Sequence, residues 1–301
     1  MKSGRASSTA AHNALFRALE ALGPSESRVV TDALSDGLLP WRFRLVTAAA
    51  RWTAARRAIT RIIDDRWPGV RPTVLARTRM IDTMVAELAN ETAQLVVLGA
   101  GLDTRAWRLP GLRQVAVFEV DHPDTQRRKR ARLRRRCLDD VHVRFVPTDF
   151  TLGRLDAAIA DAGFDPSLPT CFLWEGTTNY LSAEAVDATL RWCARAPAGS
   201  QLVFTYIDED VLSDPSRYAG AERVFSTLRR AGEPMTFGLA PDALADYLAE
   251  RGLVLVSDRG AASFRRECYG AASAEMRGHE FYRLAHARIA TPRASPVHPC
   301  W

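Results

Sequence analysis

The chain has 301 residues, 47% hydrophobic and 25% charged, with a net charge of +6. This is the composition of a globular protein able to bury a large core, not of a disordered one. No apolar run reaches the ~18 residues a membrane span requires, and five scattered cysteines (Cys137, Cys171, Cys193, Cys268, Cys300) exclude a disulfide framework or a zinc site. No metal is expected, and a reducing cytoplasm is the expected location. The residues after Met1 contain no apolar core of a secretory signal. Lys2 and Lys129 are the only lysines, so the positive charge is almost all arginine.

Residues 1–90 read as a helical extension. Leu15, Phe16, Leu19 and Leu22 recur at helical spacing over 10–22, and Gly23-Pro24 stops the pattern. The segment 34–41 reads as a loop. A long helix is expected over about 46–63, ending before Trp67-Pro68-Gly69, and another over 73–88. From residue 94 the pattern alternates. Strands are expected at 95–98, 115–118, 143–147, 171–174, 202–206, 253–257 and 281–289. Helices are expected at 103–108, 123–136, 155–162, 183–194 and 241–251. Repeated strand–helix units predict an α/β fold, a Rossmann-like, mostly parallel seven-stranded sheet with helices on both faces. The last strand alternates apolar and polar residues, which suits an antiparallel edge strand. The expected organisation is a core over 91–290, an insertion at 208–240 and a poorly ordered tail at 291–301.

The first strand–turn–strand carries the most information. Leu95 to Leu98 is an apolar run ending in Gly99-Ala100-Gly101, where the backbone can turn tightly and let a ligand approach. The second apolar run ends in Glu119 and Asp121, and an acid there can accept both hydroxyls of a ribose. A dinucleotide fingerprint needs a third small residue where this chain has Thr104. Asp103 also suits a pyrophosphate poorly, both being anionic. S-adenosylmethionine has no phosphate and carries a positive sulfonium and an amino group, so it is favoured over NAD.

The run Leu98-Gly99-Ala100-Gly101-Leu102-Asp103-Thr104-Arg105 resembles the nucleotide loop of the leucine carboxyl methyltransferase family, within the class I adenosylmethionine-dependent methyltransferases. Three later segments resemble that family's motifs in the same order: Phe118-Glu119-Val120-Asp121-His122-Pro123, Val146-Pro147-Thr148-Asp149-Phe150, and the run from Phe172 to Leu181. The last has the form found in a bacterial branch. The resemblance implies S-adenosyl-L-methionine as cofactor, held by Gly99, Ala100, Gly101 and Asp103 in the loop. Asp121 is expected on the ribose, although an acid there can also cap the next helix, as can His122. Asp149 is expected to accept the adenine amino proton, with Phe150 against the ring. Glu175, with Gly176, ends the fourth strand and can pair with the methionine amino group. Arg77 matches the family's arginine for the methionine carboxylate, with Arg79 as the alternative register. Tyr180 matches a family tyrosine near the transferred methyl, and Tyr206, ending the fifth strand, is expected beside it. The family's acidic Asp-Pro-aromatic segment is replaced here by a run from Ser35 to Trp41, so that side of the pocket is expected to close differently.

No histidine is placed as an obvious general base. A carboxylate acceptor, already ionised at neutral pH, needs none. The family's known acceptors are carboxylates, so the resemblance implies O-methylation of a carboxylate on a small molecule or peptide, in secondary metabolism. The insertion at 208–240 follows a strand's carboxyl end, where a lid is placed to act. The alternative partner is nucleic acid, through the basic run 127–136. That run has no interleaved aromatics and is better read as a solvated helix face. Its fourth-strand sequence, Trp174-Glu175-Gly176-Thr177, also lacks the Pro-Pro-aromatic pattern of nucleic-acid amino-methylating enzymes.

Overall fold

The computed structural model describes residues 8–138, 142–148 and 155–290. Five helices precede the sheet: α1 (Ser8–Ala21), α2 (Ser35–Leu38), α3 (Trp41–Ala49), α4 (Thr53–Arg66) and α5 (Val70–Leu88). The alternating part follows as β1 (Gln94–Leu98), α6 (Arg105–Arg108), β2 (Ala116–Asp121), α7 (Pro123–Arg134), β3 (Val143–Pro147), α8 (Leu155–Asp161), β4 (Thr170–Trp174), α9 (Ala183–Cys193) and β5 (Gln201–Ile207). The insertion contributes α10 (Asp210–Ser213) and α11 (Ala221–Ala231). The chain then forms α12 (Leu244–Ala249), β6 (Leu253–Gly260), α13 (Ala261–Tyr269) and β7 (Tyr282–Ile289).

The seven strands are ordered β3-β2-β1-β4-β5-β7-β6. All neighbours are parallel except those of β7, which runs antiparallel to both β5 and β6. Alternate residues on each strand feed opposite cores. Val96, Leu98, Phe118, Phe172, Trp174 and Phe204 pack against α8, α9 and α12. Leu95, Val97, Val117, Cys171, Leu173 and Val203 pack under α5 and α13. A third cluster joins α1, α2, α4 and α5 to Leu102 of the glycine loop and Leu133 of α7. No helix among the described residues is long and apolar enough to cross a membrane.

Three expectations change. The last strand is antiparallel but interior, and β6 forms the edge. The helix expected over 46–63 is two helices, broken where Trp52 adopts extended backbone (φ −82°, ψ 126°). The local sequence, rich in alanine and arginine, has no helix breaker. Packing divides it, because α3 lies on α1 and α2 whereas α4 lies on α5. The expected loop at 34–41 contains one helical turn, started by Asp32, whose Oδ1 accepts from the N–H groups of Leu34 (3.2 Å) and Ser35 (3.1 Å). Helix α13 lies outside the expected helices and is held by packing on α5. The tail expected over 291–301 lies outside the described residues.

The basic run on α7 is not wholly a solvated face. Lys129 is buried, donates to both oxygens of buried Glu119 (2.7 Å each) and lies 5.1 Å over the ring of Trp107. Arg132 donates to the Leu38 carbonyl at 2.6 Å, tying α7 to α2. Breaking a buried pair leaves an uncompensated charge and costs about 3–5 kcal/mol. Urea denaturation of Lys129→Ala should show a loss of that order, whereas exposed Arg135→Ala should stay within about 0.5 kcal/mol. Equal, small effects would mean that Glu119 and Lys129 do not form a closed pair.

Candidate active site

The site begins where β1 ends. Gly99 and Gly101 both have positive φ (69° and 48°), the left-handed region open to glycine. Space makes the same demand: a Cβ on Gly99 would stand 2.2 Å from Thr177 Oγ1. The N–H groups of Gly99 and Ala100 both donate to the Val120 carbonyl (2.8 and 3.1 Å), which ties the loop to β2. Above it, at the carboxyl ends of β1, β2 and β4, lies a cleft of about 610 Å³. A parallel sheet binds ligands at that edge, and the volume lies in the range of small-molecule sites.

Asp121, at the end of β2, lines the cleft. Its Oδ2 accepts from Gly101 N–H (2.5 Å) and its Oδ1 from His122 N–H (2.6 Å). Burial raises its pKa, and the two N–H groups oppose the shift. His122 Nδ1 accepts from Asp124 N–H (3.2 Å), so the histidine caps α7 and Asp121 is left to face the cleft. Asp103 borders the same space and pairs with Arg105. Burial would raise the Asp103 pKa, but Arg105, Lys129 and the Arg105 N–H outweigh it and hold the group at about 2.

Arg77 is buried and lines the cleft, whereas Arg79 is exposed on α5. Arg77 Nε donates to Glu175 Oε1 (2.8 Å), and its guanidinium lies 4.8 Å from the centre of the Tyr282 ring. Arg105 donates to Glu175 Oε2 (2.8 Å) and, through Nε, to Asp82 Oδ1 (2.7 Å). Burial would raise the Glu175 pKa, but the two arginines hold it below its ordinary value. The residues expected to meet the two ends of the methionine moiety therefore also orient one another. Gly176 lines the cleft with φ 68°.

Tyr180 reaches the cleft, and its hydroxyl donates to Thr9 Oγ1 at 3.3 Å. Burial raises its pKa far above the ordinary value, so it is a neutral phenol. Tyr206 is a correction: it is not among the residues lining the cleft. It shares a sheet face with Leu202 and Phe204, and its hydroxyl donates to Asp258 (2.8 Å) and accepts from Arg283 (2.9 Å). The neighbouring Thr205 lies on the other face and accepts from Gly176 N–H at 2.8 Å. Asp149 and Phe150 lie outside the described residues; Thr148, just before them, lines the cleft.

Sequence reasoning expected a lid from 208–240 but named neither its residues at the cleft nor those of α1. Thr9, Ala10, Asn13 and Arg17 of α1 line the cleft, as do Gly232, Glu233, Pro234 and Thr236 of the insertion. Glu233 joins the two, accepting from Ser8 N–H (2.7 Å), Thr9 N–H (3.1 Å) and Thr9 Oγ1 (2.6 Å). A carboxylate at a helix N-terminus is favourable, but the 225-residue separation hides the partnership from local sequence patterns.

The family model described as leucine carboxyl methyltransferase matches residues 10–194, the span that contains most of α1, the glycine loop, Asp121 and Glu175. The chain belongs to this family. Among its relatives, YktD of Bacillus subtilis (strain 168) is 33% identical over 188 residues, which is 61% of this chain and 62% of YktD, so the match spans less than two thirds of that relative. A Mycolicibacterium smegmatis protein is 32% identical over 249 residues, 76% of this chain and 74% of its own length. The names of both class them as S-adenosyl-L-methionine-dependent methyltransferases. A DUF574 family protein from Streptomyces avermitilis has a TM-score of 0.56 at 21% identity, covering 78% of this chain and 90% of that one. A structure from Thermobifida fusca, described as a methyltransferase, has a TM-score of 0.57 at 17% identity, covering 91% and 97%. These two likenesses are of fold alone.

As a member of the leucine carboxyl methyltransferase family, the protein is an S-adenosylmethionine-dependent methyltransferase. The cleft fits that cofactor: its floor admits no side chain at Gly99, a ribose-competent carboxylate stands at the β2 end, and a carboxylate and an arginine meet at the β4 end.

Asp121→Ala should weaken S-adenosylhomocysteine binding about tenfold or more, the value of hydrogen bonds to a charged group. Calorimetry showing unchanged affinity would remove Asp121 from the site. Asp103 has a folded pKa below its ordinary 3.8, so its stabilising contribution is in place above about pH 4 and is lost as pH falls toward 2. Asp103→Asn should therefore flatten the loss of stability across that window, by about 2 kcal/mol at most. An unchanged acid transition would count against the Asp103–Arg105 pair.

Proposed function

We propose that the enzyme methylates an oxygen of a small molecule or peptide, and that this oxygen belongs to a carboxylate. The observation carrying this proposal is that the ionisable groups around the acceptor end are already engaged. Glu175 serves Arg77 and Arg105, Glu233 serves the start of α1, and Tyr180 is a neutral donor. His122 caps α7. His279 is buried behind Tyr282, its pKa lowered to about 3 by burial and by Arg77 and Arg265, so it takes up no proton near neutrality. An acceptor that arrives ionised asks nothing of these groups except alignment.

The cofactor, when bound, supplies a methyl group activated by a positively charged sulfur. The chain's own residues bind, orient and shield. Asp121 and the glycine loop fix one end, and the Arg77–Glu175–Arg105 cluster fixes the other. Tyr180 can turn its hydroxyl from Thr9 to an acceptor oxygen. Segment 208–240 acts as the lid: Gly220 (φ 76°) and Gly232 (φ 78°) flank α11 as hinges, and Glu233 fastens the lid to α1. The basic α7 run offers less to nucleic acid, because Lys129 and Arg132 are spent on Glu119 and Leu38.

The product should be a methyl ester that releases labelled methanol in mild base. Tyr180→Phe should lower turnover about tenfold, the worth of one positioning hydrogen bond, without adding a pH dependence near neutrality. Glu233→Ala should speed hydrogen exchange in 221–236 and at the start of α1. A base-stable methylated phenol or amine would refute the carboxylate assignment. Unchanged exchange in the Glu233 variant would refute the latch.

A further inference from the structure

The outer faces of α3 and α4 present apolar side chains that the described chain leaves uncovered. Trp41, Leu45, Trp52 and Ile62 are 71%, 62%, 76% and 67% exposed, within a stretch of a single helical pair. Trp41, Leu45 and Ala48 follow helical spacing on α3, Trp52 stands in the turn, and Ala54, Ala58 and Ile62 continue as an exposed stripe on α4. Scattered exposed apolar residues are ordinary, but two tryptophans with two large aliphatics on adjoining helices are not scattered.

The charge around them is one-sided. Residues 41–66 contain seven arginines and two aspartates, and one of these, Asp64, is held by Arg71. Arg42, Arg44, Arg51, Arg57, Arg61 and Arg66 are exposed. Indole rings with flanking cations suit a bilayer interface, where the ring sits at headgroup level and the guanidinium meets anionic lipid. A second copy of the chain would instead bring arginines against arginines.

We infer that the α3–α4 face docks on an anionic lipid bilayer. The inner side of the same helices, through Phe43, Val46 and Ile59, packs in the cluster that holds α1. Since α1 lies between these helices and the cleft, docking holds the active site roughly two helix diameters, ~20 Å, from the bilayer.

The test uses the full chain and flotation with vesicles of phosphatidylcholine, alone or mixed with phosphatidylglycerol. The protein should float with the mixed vesicles, not with the neutral ones, and should release in high salt. The double variant Trp41→Ala/Trp52→Ala should bind the mixed vesicles about tenfold less well while retaining its thermal shift with S-adenosylhomocysteine, which reports an intact fold and cleft. Absence of flotation with mixed vesicles would overturn the inference. So would undiminished binding by the double variant, which would point to the basic α7 face. A concentration-dependent dimer in light scattering, abolished by the two substitutions, would overturn it in favour of a second copy as the occupant.

Discussion

Arg105 is a buried cation that touches three carboxylates from three different parts of the chain: Asp82 of α5, Asp103 of the glycine loop and Glu175 at the end of β4. A buried guanidinium is costly unless it is paired, and a partly satisfied network is costlier still. The three acids therefore have to converge, and that convergence fixes the relation of α5 to the sheet. The network continues outward. Arg108 shares Asp82 with Arg105, and Asp32 accepts from Arg17 and Thr104. Arg17 also donates to the Leu102 carbonyl at 2.8 Å. One connected set of charges thus binds the N-terminal helices to the loop that bears the cofactor. The helical extension belongs to the site's framework, not only to its cover.

Much of the fold was legible because its signals are local. The strands at 95–98, 143–147 and 171–174 are short β-branched or apolar runs with polar ends, and each forms a strand whose bounds agree to within a residue. The glycine loop was legible because backbone conformation and close approach both demand glycine at position 99. The failures are of another kind. The break at Trp52 and the helix α13 come from packing against α1 and α5, which local propensity does not contain. The interior place of β7 depends on where β6 ends up, and strand alternation cannot report it.

The site was legible in its floor, whereas its roof was legible only as an insertion at a strand's end, without the residues that close it. Asp121, Glu175 and Gly99 follow directly from strand ends, so a motif of a few residues locates them. Glu233 and Thr9 meet across almost the whole chain, and no pattern of neighbouring residues announces such a meeting. Tyr206 failed for a stereochemical reason. Successive residues of a strand point to opposite faces, so a tyrosine at the right height on β5 can still point to the wrong side, where Asp258 and Arg283 receive it. Lys129 shows the converse. It sits in a run that looks solvated, yet the helical turn carries that one position inward to Glu119.

The placement of β7 between β5 and β6 has a consequence for how the chain is made. β5 ends at Ile207, but its neighbour starts only at Tyr282, after the insertion, α12, β6 and α13 have been synthesised. Until then both β5 and β6 present open edges to the surroundings, and open edges recruit other strands. The sheet is therefore closed by a late strand arriving between two waiting ones, a non-local step of the slow kind. The interval before it arrives is when the nascent protein is most exposed to misassembly.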